Sequence, residues 1–165
     1  MKTAIVYYSQ SGNVAWAAQK IAELTGADLI PIEPETAYPD HGFRKYFHGG
    51  RSAVMGERPV LKPYELDWDQ YEGIILGAPV WAAHMAPPLM TFVESNLDNI
   101  SKKRIGLLAC FSGAGAEKAI AQMKKTLGLV TPVETLILTD PKDRPKAEYM
   151  AQIKAFYAAF TGEKH

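Results

Sequence analysis

The sequence predicts a doubly wound α/β fold in three layers, with a five-stranded parallel sheet between two layers of helices. Short apolar runs alternate along the chain with segments whose apolar residues recur at helical spacing. Runs that are apolar at nearly every position are typical of strands buried on both faces, and their alternation with helices indicates a parallel sheet. A proline within the second run favours a sheet edge for that strand, because proline cannot donate to a central ladder.

The first three elements are predicted from local patterning near the start of the chain. Residues 3–8 are apolar and rich in β-branched and aromatic side chains, which indicates a buried strand. Residues 13–24 carry apolar side chains at helical spacing, and Gly26 supplies a helix stop. Residues 28–32 predict the second strand, which contains Pro31.

The later elements continue the alternation. Strands are predicted at 73–77 and 104–111, where the sequence is continuously apolar, and at 133–138, whose more mixed composition favours the other sheet edge. Helices are predicted at 88–97, 117–127 and 145–160. With the second strand at one edge and the fifth at the other, the expected strand order is 2-1-3-4-5.

The chain length of 165 residues predicts a single domain over 1–165, with an irregular insertion around 36–63. Aromatic residues of the insertion could form one or two amphipathic turns: Phe43, Tyr46 and Phe47. Gly49 and Gly50 are expected to break this helical segment. The insertion is also locally basic, which fits either a solvated face or a docking surface.

Composition excludes several classes of protein. Eighteen basic residues balance eighteen acidic ones, so no nucleic-acid partner is expected, and no apolar run is long enough to span a membrane. Cys110 is the only cysteine, which fits a reducing compartment, and the first residues do not resemble a signal peptide. We therefore expect a cytoplasmic protein. The histidines are scattered along the sequence, so no metal site is expected.

Three loops are expected to form a ligand site, because ligands of this topology bind beyond the carboxyl ends of the strands, where the winding reverses. The first loop consists of Ser9, Gln10, Ser11, Gly12, Asn13 and Val14. Hydroxyl groups and a glycine stand there beside the unpaired N–H groups of a helix start, which favours an anion. Ordinary helix capping by serine or asparagine is the alternative interpretation.

The first loop, following the strand residues Ile5-Val6-Tyr7-Tyr8, resembles the phosphate loop of flavodoxins and flavodoxin-like FMN proteins. This resemblance implies that the loop wraps the terminal phosphate of FMN. Flavodoxins usually end the motif with threonine or serine, whereas Val14 stands at that position here.

The resemblance extends to the loops after the third and fourth predicted strands. It implies that the second loop lies along the flavin ring, where Trp81 offers a large apolar platform. It implies that backbone groups of the third loop contact the pyrimidine edge of the flavin. The expected cofactor-binding residues of these loops are Ala78, Pro79, Val80, Trp81 and Ala82 in the second and Ser112, Gly113, Ala114 and Gly115 in the third.

Three functions fit an FMN-binding chain of this kind. The first is an electron-transfer protein that serves redox partner proteins or a small-molecule acceptor. The second is an enzyme, an NAD(P)H-dependent FMN quinone or flavin reductase, and the third is a binding module without redox activity. The balanced charge differs from that of classical flavodoxins, which are strongly acidic, and no catalytic side chain is evident in the sequence.

Overall fold

The computed structural model describes residues 1–39 and 42–163, in which strands and helices alternate as predicted. The strands are β1 (Thr3–Tyr7), β2 (Asp28–Pro31), β3 (Gly73–Trp81), β4 (His84–Met85), β5 (Arg104–Phe111) and β6 (Glu134–Thr139). The helices are α1 (Asn13–Thr25), α2 (Gly42–Val54), α3 (Pro87–Ser95), α4 (Leu97–Ile100), α5 (Ala116–Thr126) and α6 (Glu148–Thr161). A short 3₁₀ turn lies at Trp68–Gln70.

The sheet has the strand order β2-β1-β3-β5-β6, with β4 paired to β3 outside this path. The pairs along the path are parallel, so the five parallel strands have the predicted order 2-1-3-4-5. Both predicted edges are confirmed. Pro31 lies in the edge strand β2. Its lack of an N–H group is tolerated there, because one side of an edge strand makes no ladder hydrogen bonds.

The core lies in two layers because the central strands are buried on both faces. Neighbouring residues of β5 point to opposite faces: Leu107 packs in a cluster with Phe92 of α3, and Leu108 packs in a cluster with Ile21 of α1. Phe160 of α6 joins the second cluster and is fully buried. Helices α1 and α6 therefore cover one face of the sheet, and α3 and α5 cover the other.

Helix α2 differs from the sequence prediction, because it continues through Gly49 and Gly50. The predicted break is wrong, and the reason is packing. A Cβ atom on Gly49 would lie 3.2 Å from two indole carbons of Trp81, so glycine allows the helix to approach that ring. Phe47 is exposed, whereas the side chains of Phe43 and Tyr46 lie outside the described part of the structure.

The insertion is held at its base by two short extended segments. Pro34 and Leu61 form an antiparallel bridge. The backbone N–H of Glu35 donates to the carbonyl of Val60, and that of Lys62 donates to the carbonyl of Glu33, both at 2.8 Å. These hydrogen bonds hold together the two ends of the insertion that contains α2. The extent of a single domain over 1–165 stays a prediction.

Two predicted boundaries differ from the structure by three residues or more. β3 was expected to end at residue 77 but continues to Trp81, because its last residues pair first with β5 and then with β4. The last helix was expected from residue 145 but begins at Glu148. A turn precedes it, in which the backbone N–H of Arg144 donates to the carbonyl of Asp140 at 2.7 Å.

Candidate functional site

A pocket of about 360 Å³ opens at the carboxyl ends of β1, β3 and β5. Its volume lies within the range of small-molecule sites, roughly 300–1,000 Å³. It is lined by Ser9, Gln10, Ser11, Asn13, Val14, Lys45, Gly50, Pro79, Val80, Trp81, Ala82, Cys110, Phe111, Ser112, Gly113, Ala114 and Asp140. All three predicted loops therefore meet at one cavity. Of the predicted site residues, Gly12, Ala78 and Gly115 are not in its wall.

The first loop forms the start of α1. The hydroxyl of Ser9 accepts the backbone N–H of Ala15 at 3.1 Å, so it satisfies one donor of the first helical turn while its own hydrogen can still be donated. Gly12 precedes the helix with φ of +94°, a left-handed conformation that favours glycine. The amide of Gln10 donates to the carbonyl of Pro39 at 2.6 Å and ties the loop to the insertion.

Two further side chains of the first loop, those of Asn13 and Val14, are engaged by the protein. Val14 is almost completely buried, and its side chain packs in the core cluster that contains Ile21 of α1. Asn13 is 6% exposed, and its amide nitrogen donates to the Asp143 carboxylate at 2.9 Å. Part of this loop therefore serves to cap α1 and to bind neighbouring segments of the protein. The hydroxyl of Ser11 remains on the exposed side of the pocket.

Trp81 lies in an aromatic cluster at the pocket wall. Its ring centroid is 5.8 Å from that of Tyr8 and 5.1 Å from that of Tyr38, both in edge-to-face geometry. His48 of α2 lies 5.6 Å from Tyr38. Such pairs stabilise the arrangement by about 0.5–1.5 kcal/mol each beyond simple burial. The cluster therefore holds the indole between the pocket and α2.

The second loop is a two-residue hairpin. Ala82 and Ala83 have φ of +48° and +61°, which identifies a type I′ turn between β3 and β4. Alanine is unfavourable in this conformation, because its Cβ crowds the following carbonyl. The ring of His84 donates from Nδ1 to the Ala82 carbonyl at 2.6 Å and braces the turn. No typical turn residue is present, and for this reason the hairpin was missed from the sequence.

Gly115 joins the second and third loops. A Cβ atom there would lie 2.6 Å from the Cβ and 2.8 Å from the Cα of Ala83, and the residue has φ of +92°. The structure shows close packing of α5 against the hairpin at this position, and the predicted contact of Gly115 with the cofactor stays a prediction. Ala78 is likewise a packing residue, fully buried in β3 and paired with Ala109.

The third loop is fixed by a buried carboxylate. Asp140 follows β6, is 7% exposed, and has a positive φ of 39°. It accepts the hydroxyl of Ser112 at 2.7 Å and forms an ion pair with the guanidinium of Arg144. The Ser112 side chain is therefore held by the protein.

Sequence reasoning missed five lining residues: Lys45, Gly50, Cys110, Phe111 and Asp140. Three of them stand at the carboxyl ends of β5 and β6, and this position was a usable signal. Lys45 and Gly50 belong to α2, and no pattern in the sequence indicates that this helix lies beside the pocket.

Burial favours the neutral form of two groups, Cys110 in the pocket wall and Tyr8 beside Trp81. Burial raises the pKa of the Cys110 thiol to about 12, and the nearby Asp140 carboxylate adds to this effect. The thiol therefore stays protonated at neutral pH. Burial also raises the pKa of Tyr8, with further contributions from Tyr38 and Glu33. Within residues 1–39 and 42–163, no three histidine, cysteine or acidic residues gather in a way that could hold a metal ion.

A pocket built from three loops at the winding reversal of a 2-1-3-4-5 sheet defines the flavodoxin-like class of α/β proteins. The family model described as Flavodoxin matches residues 2–149, and the chain belongs to this family. The resemblance inferred from the first loop is therefore confirmed. None of the described helices is long and apolar enough to cross a membrane.

Solved structures from several organisms share the fold. The chain is similar to a flavoprotein from Lactobacillus acidophilus crystallised with FMN, at 21% identity and a TM-score of 0.69 over 86% of this chain and 95% of that chain. It is similar to oxidised flavodoxin 1 from Bacillus cereus, at 19% identity and a TM-score of 0.59 over the whole of both chains. It also matches 37% of the flavodiiron core of Flv1 from Synechocystis, at 17% identity and a TM-score of 0.58 over 99% of this chain.

Proposed function

We propose that this chain binds FMN in the pocket and transfers electrons between redox partners. The observation that carries the proposal is the loop of hydroxyl groups and glycine at the start of α1, which opens onto a pocket with an aromatic wall in a chain of the flavodoxin family. FMN in the Lactobacillus acidophilus structure supports the choice of flavin. When bound, FMN supplies the redox chemistry, and the chain binds and orients it.

The residues present fit an FMN molecule from end to end. The hydroxyls of Ser9 and Ser11, together with backbone N–H groups at the start of α1, would hold the phosphate. Val80 and Trp81 would give the ring system an apolar wall. The backbone of Ser112, which is fixed by Asp140, would serve the polar edge of the ring.

The partner approaches from the pocket rim, where α2 contributes cationic groups. Lys45 lines the pocket, and Arg44 and Arg51 border a second cavity of about 450 Å³ beside the same helix, where Glu57 contributes one carboxylate. Cations at the rim favour an anionic partner, either an acidic protein or a small acceptor. The lone, buried thiol of Cys110 supports a cytoplasmic location.

Electron transfer and enzymatic turnover are separated by kinetics. We expect the FMN-loaded chain, after photochemical reduction, to reduce an anionic one-electron acceptor such as ferricyanide in single-electron steps. We expect its oxidation of NADH or NADPH, with a quinone present, to stay at the rate of free FMN at the same concentration. Saturable NADH or NADPH oxidation well above that control would contradict the proposal and favour the quinone or flavin reductase.

A further inference from the structure

The turn between β6 and α6 is attached to the first loop of the pocket. The side-chain carbonyl of Asn13 accepts the backbone N–H of Lys142 at 2.8 Å and that of Asp143 at 3.4 Å. The amide nitrogen of Asn13 donates in turn to the Asp143 carboxylate at 2.9 Å. Because Asn13 is buried, this double contact fixes residues 142 and 143 against the start of α1.

The attachment places the side chain of Lys142 over Gly12. Lys142 Nζ donates to the carbonyl of Ser11 at 3.3 Å. The same ammonium group lies 3.0 Å from the position that a Cβ atom on Gly12 would occupy, and Cδ lies 3.1 Å from it. Glycine at position 12 therefore provides the space in which the lysine side chain rests. Lys142 lies beside the first loop but outside the pocket wall, and the sequence predicted neither this residue nor its turn as part of the site.

The ammonium group of Lys142 stands beside a loop that has no cation of its own. Of the other charges of the same turn, Arg144 forms an ion pair with Asp140, whereas the Asp143 carboxylate accepts from the neutral amide of Asn13. Within the described residues, Lys142 forms no ion pair, and its ammonium group donates to the neutral carbonyl of Ser11. An anion on the first loop would therefore meet an ammonium group that a protein carboxylate does not neutralise.

We propose that Lys142 is a phosphate-recognition residue, which supplies the positive charge that the first loop lacks and lets the site distinguish FMN from riboflavin. The inference rests on the proposed binding of FMN. Asn13 acts as the positioning residue, because it fixes the backbone from which the lysine extends. The charge interaction concerns the phosphate alone, so it is absent for a flavin without phosphate.

The test compares two flavins on the full-length chain freed of bound flavin. FMN and riboflavin are titrated into wild type, Lys142→Met, Lys142→Arg and Lys154→Met. Lys154 is a matched control, because it is exposed on α6 and its loss changes the net charge equally. We expect Lys142→Met to weaken FMN binding by about tenfold or more, as for a lost bond to a charged group. Riboflavin affinity should stay within about twofold, since it has no phosphate to meet the charge.

Salt dependence supplies a second readout, which serves even where riboflavin binds too weakly to be measured. FMN affinity of the wild type should fall with ionic strength more steeply than that of Lys142→Met. Lys142→Arg should retain most of the preference for FMN, and Lys154→Met should match the wild type.

The outcomes distinguish failure of the proposed role of Lys142 from failure of the proposed FMN binding. Equal losses of FMN and riboflavin in Lys142→Met would show a merely structural role and overturn the inference. An unchanged FMN affinity would overturn it as well, while FMN binding itself stood. A wild type that binds neither flavin would overturn the proposed function, and the inference with it.

Discussion

Adding a single methyl group at Gly115 should lower the stability of the protein, because this residue packs the third loop against the second. Gly115→Ala adds a Cβ atom at 2.6 Å from the Cβ and 2.8 Å from the Cα of Ala83. Ala83 sits in a tight turn braced by His84, so its backbone has little freedom to yield. The added methyl group must therefore push the hairpin away from α5 or distort the turn.

Two costs contribute to the expected loss of stability. Alanine in the left-handed conformation at φ of +92° costs about 1–2 kcal/mol. Overpacking against a fixed neighbour adds about 1–3 kcal/mol. The free energy of unfolding should thus fall by roughly 2–5 kcal/mol, which a domain with a typical stability of about 5–15 kcal/mol survives.

Two other glycines separate these costs. Gly128 has φ of +66° with open space around its Cβ position, so Gly128→Ala measures the backbone cost alone. Gly113 lies in the same loop as Gly115, also in open space, and it lacks a positive φ, so Gly113→Ala should change stability little. Urea unfolding followed by tryptophan fluorescence gives the free energies. If Gly115→Ala cost no more than Gly128→Ala, the packing of α5 on the hairpin would be refuted.

Three further predictions concern the pocket and its surroundings. Ser11→Ala should weaken FMN binding by about 1–3 kcal/mol through a lost bond to the phosphate, whereas Gly12→Val should weaken it further, since φ of +94° strains valine and its side chain displaces Lys142. Apoprotein titration measures both, and an unaltered affinity in Gly12→Val would place the phosphate elsewhere. Trp81→Ala should weaken FMN binding by about 1–3 kcal/mol and increase flavin fluorescence, because an adjacent indole quenches it; bright emission already present in the wild type would place the indole away from the ring. The free energy of unfolding should decline as the pH rises from about 9 to about 12, because the Cys110 thiol ionises in the unfolded chain near its ordinary value of 9.0 but in the folded chain only near 12. This part of the pH slope should vanish in Cys110→Ala, and identical slopes in the two proteins would contradict the burial effect.

The architecture could be predicted because burial on both faces leaves a strong pattern. Continuous apolar runs mark the central strands, and Pro31 marks an edge. The same logic placed the three loops at one end of the sheet, since parallel strands share their carboxyl edge. Twelve of the predicted site residues consequently line one pocket, namely Ser9, Gln10, Ser11, Asn13, Val14, Pro79, Val80, Trp81, Ala82, Ser112, Gly113 and Ala114.

What escaped prediction depends on contacts between distant segments. Gly49 and Gly50 suggest a helix break when only local propensity is considered, but they are the surface on which α2 meets the hairpin. Lys142 is 129 positions from Asn13, and nothing in the local sequence indicates that the two meet. The alanine hairpin also could not be predicted from the sequence, because its conformation is imposed by the pairing of β3 with β4 and by the bond from His84.

Binding of FMN to the flavin-free chain tests the central claim most directly. Calorimetric titration with FMN, and in parallel with FAD, measures stoichiometry and affinity for each, and flavin released from the purified protein by denaturation identifies the ligand. We predict one FMN per chain, because the first loop, which lines the pocket of about 360 Å³, suits a single terminal phosphate. Failure to bind FMN, or recovery of FAD as the stoichiometric ligand, would contradict the account.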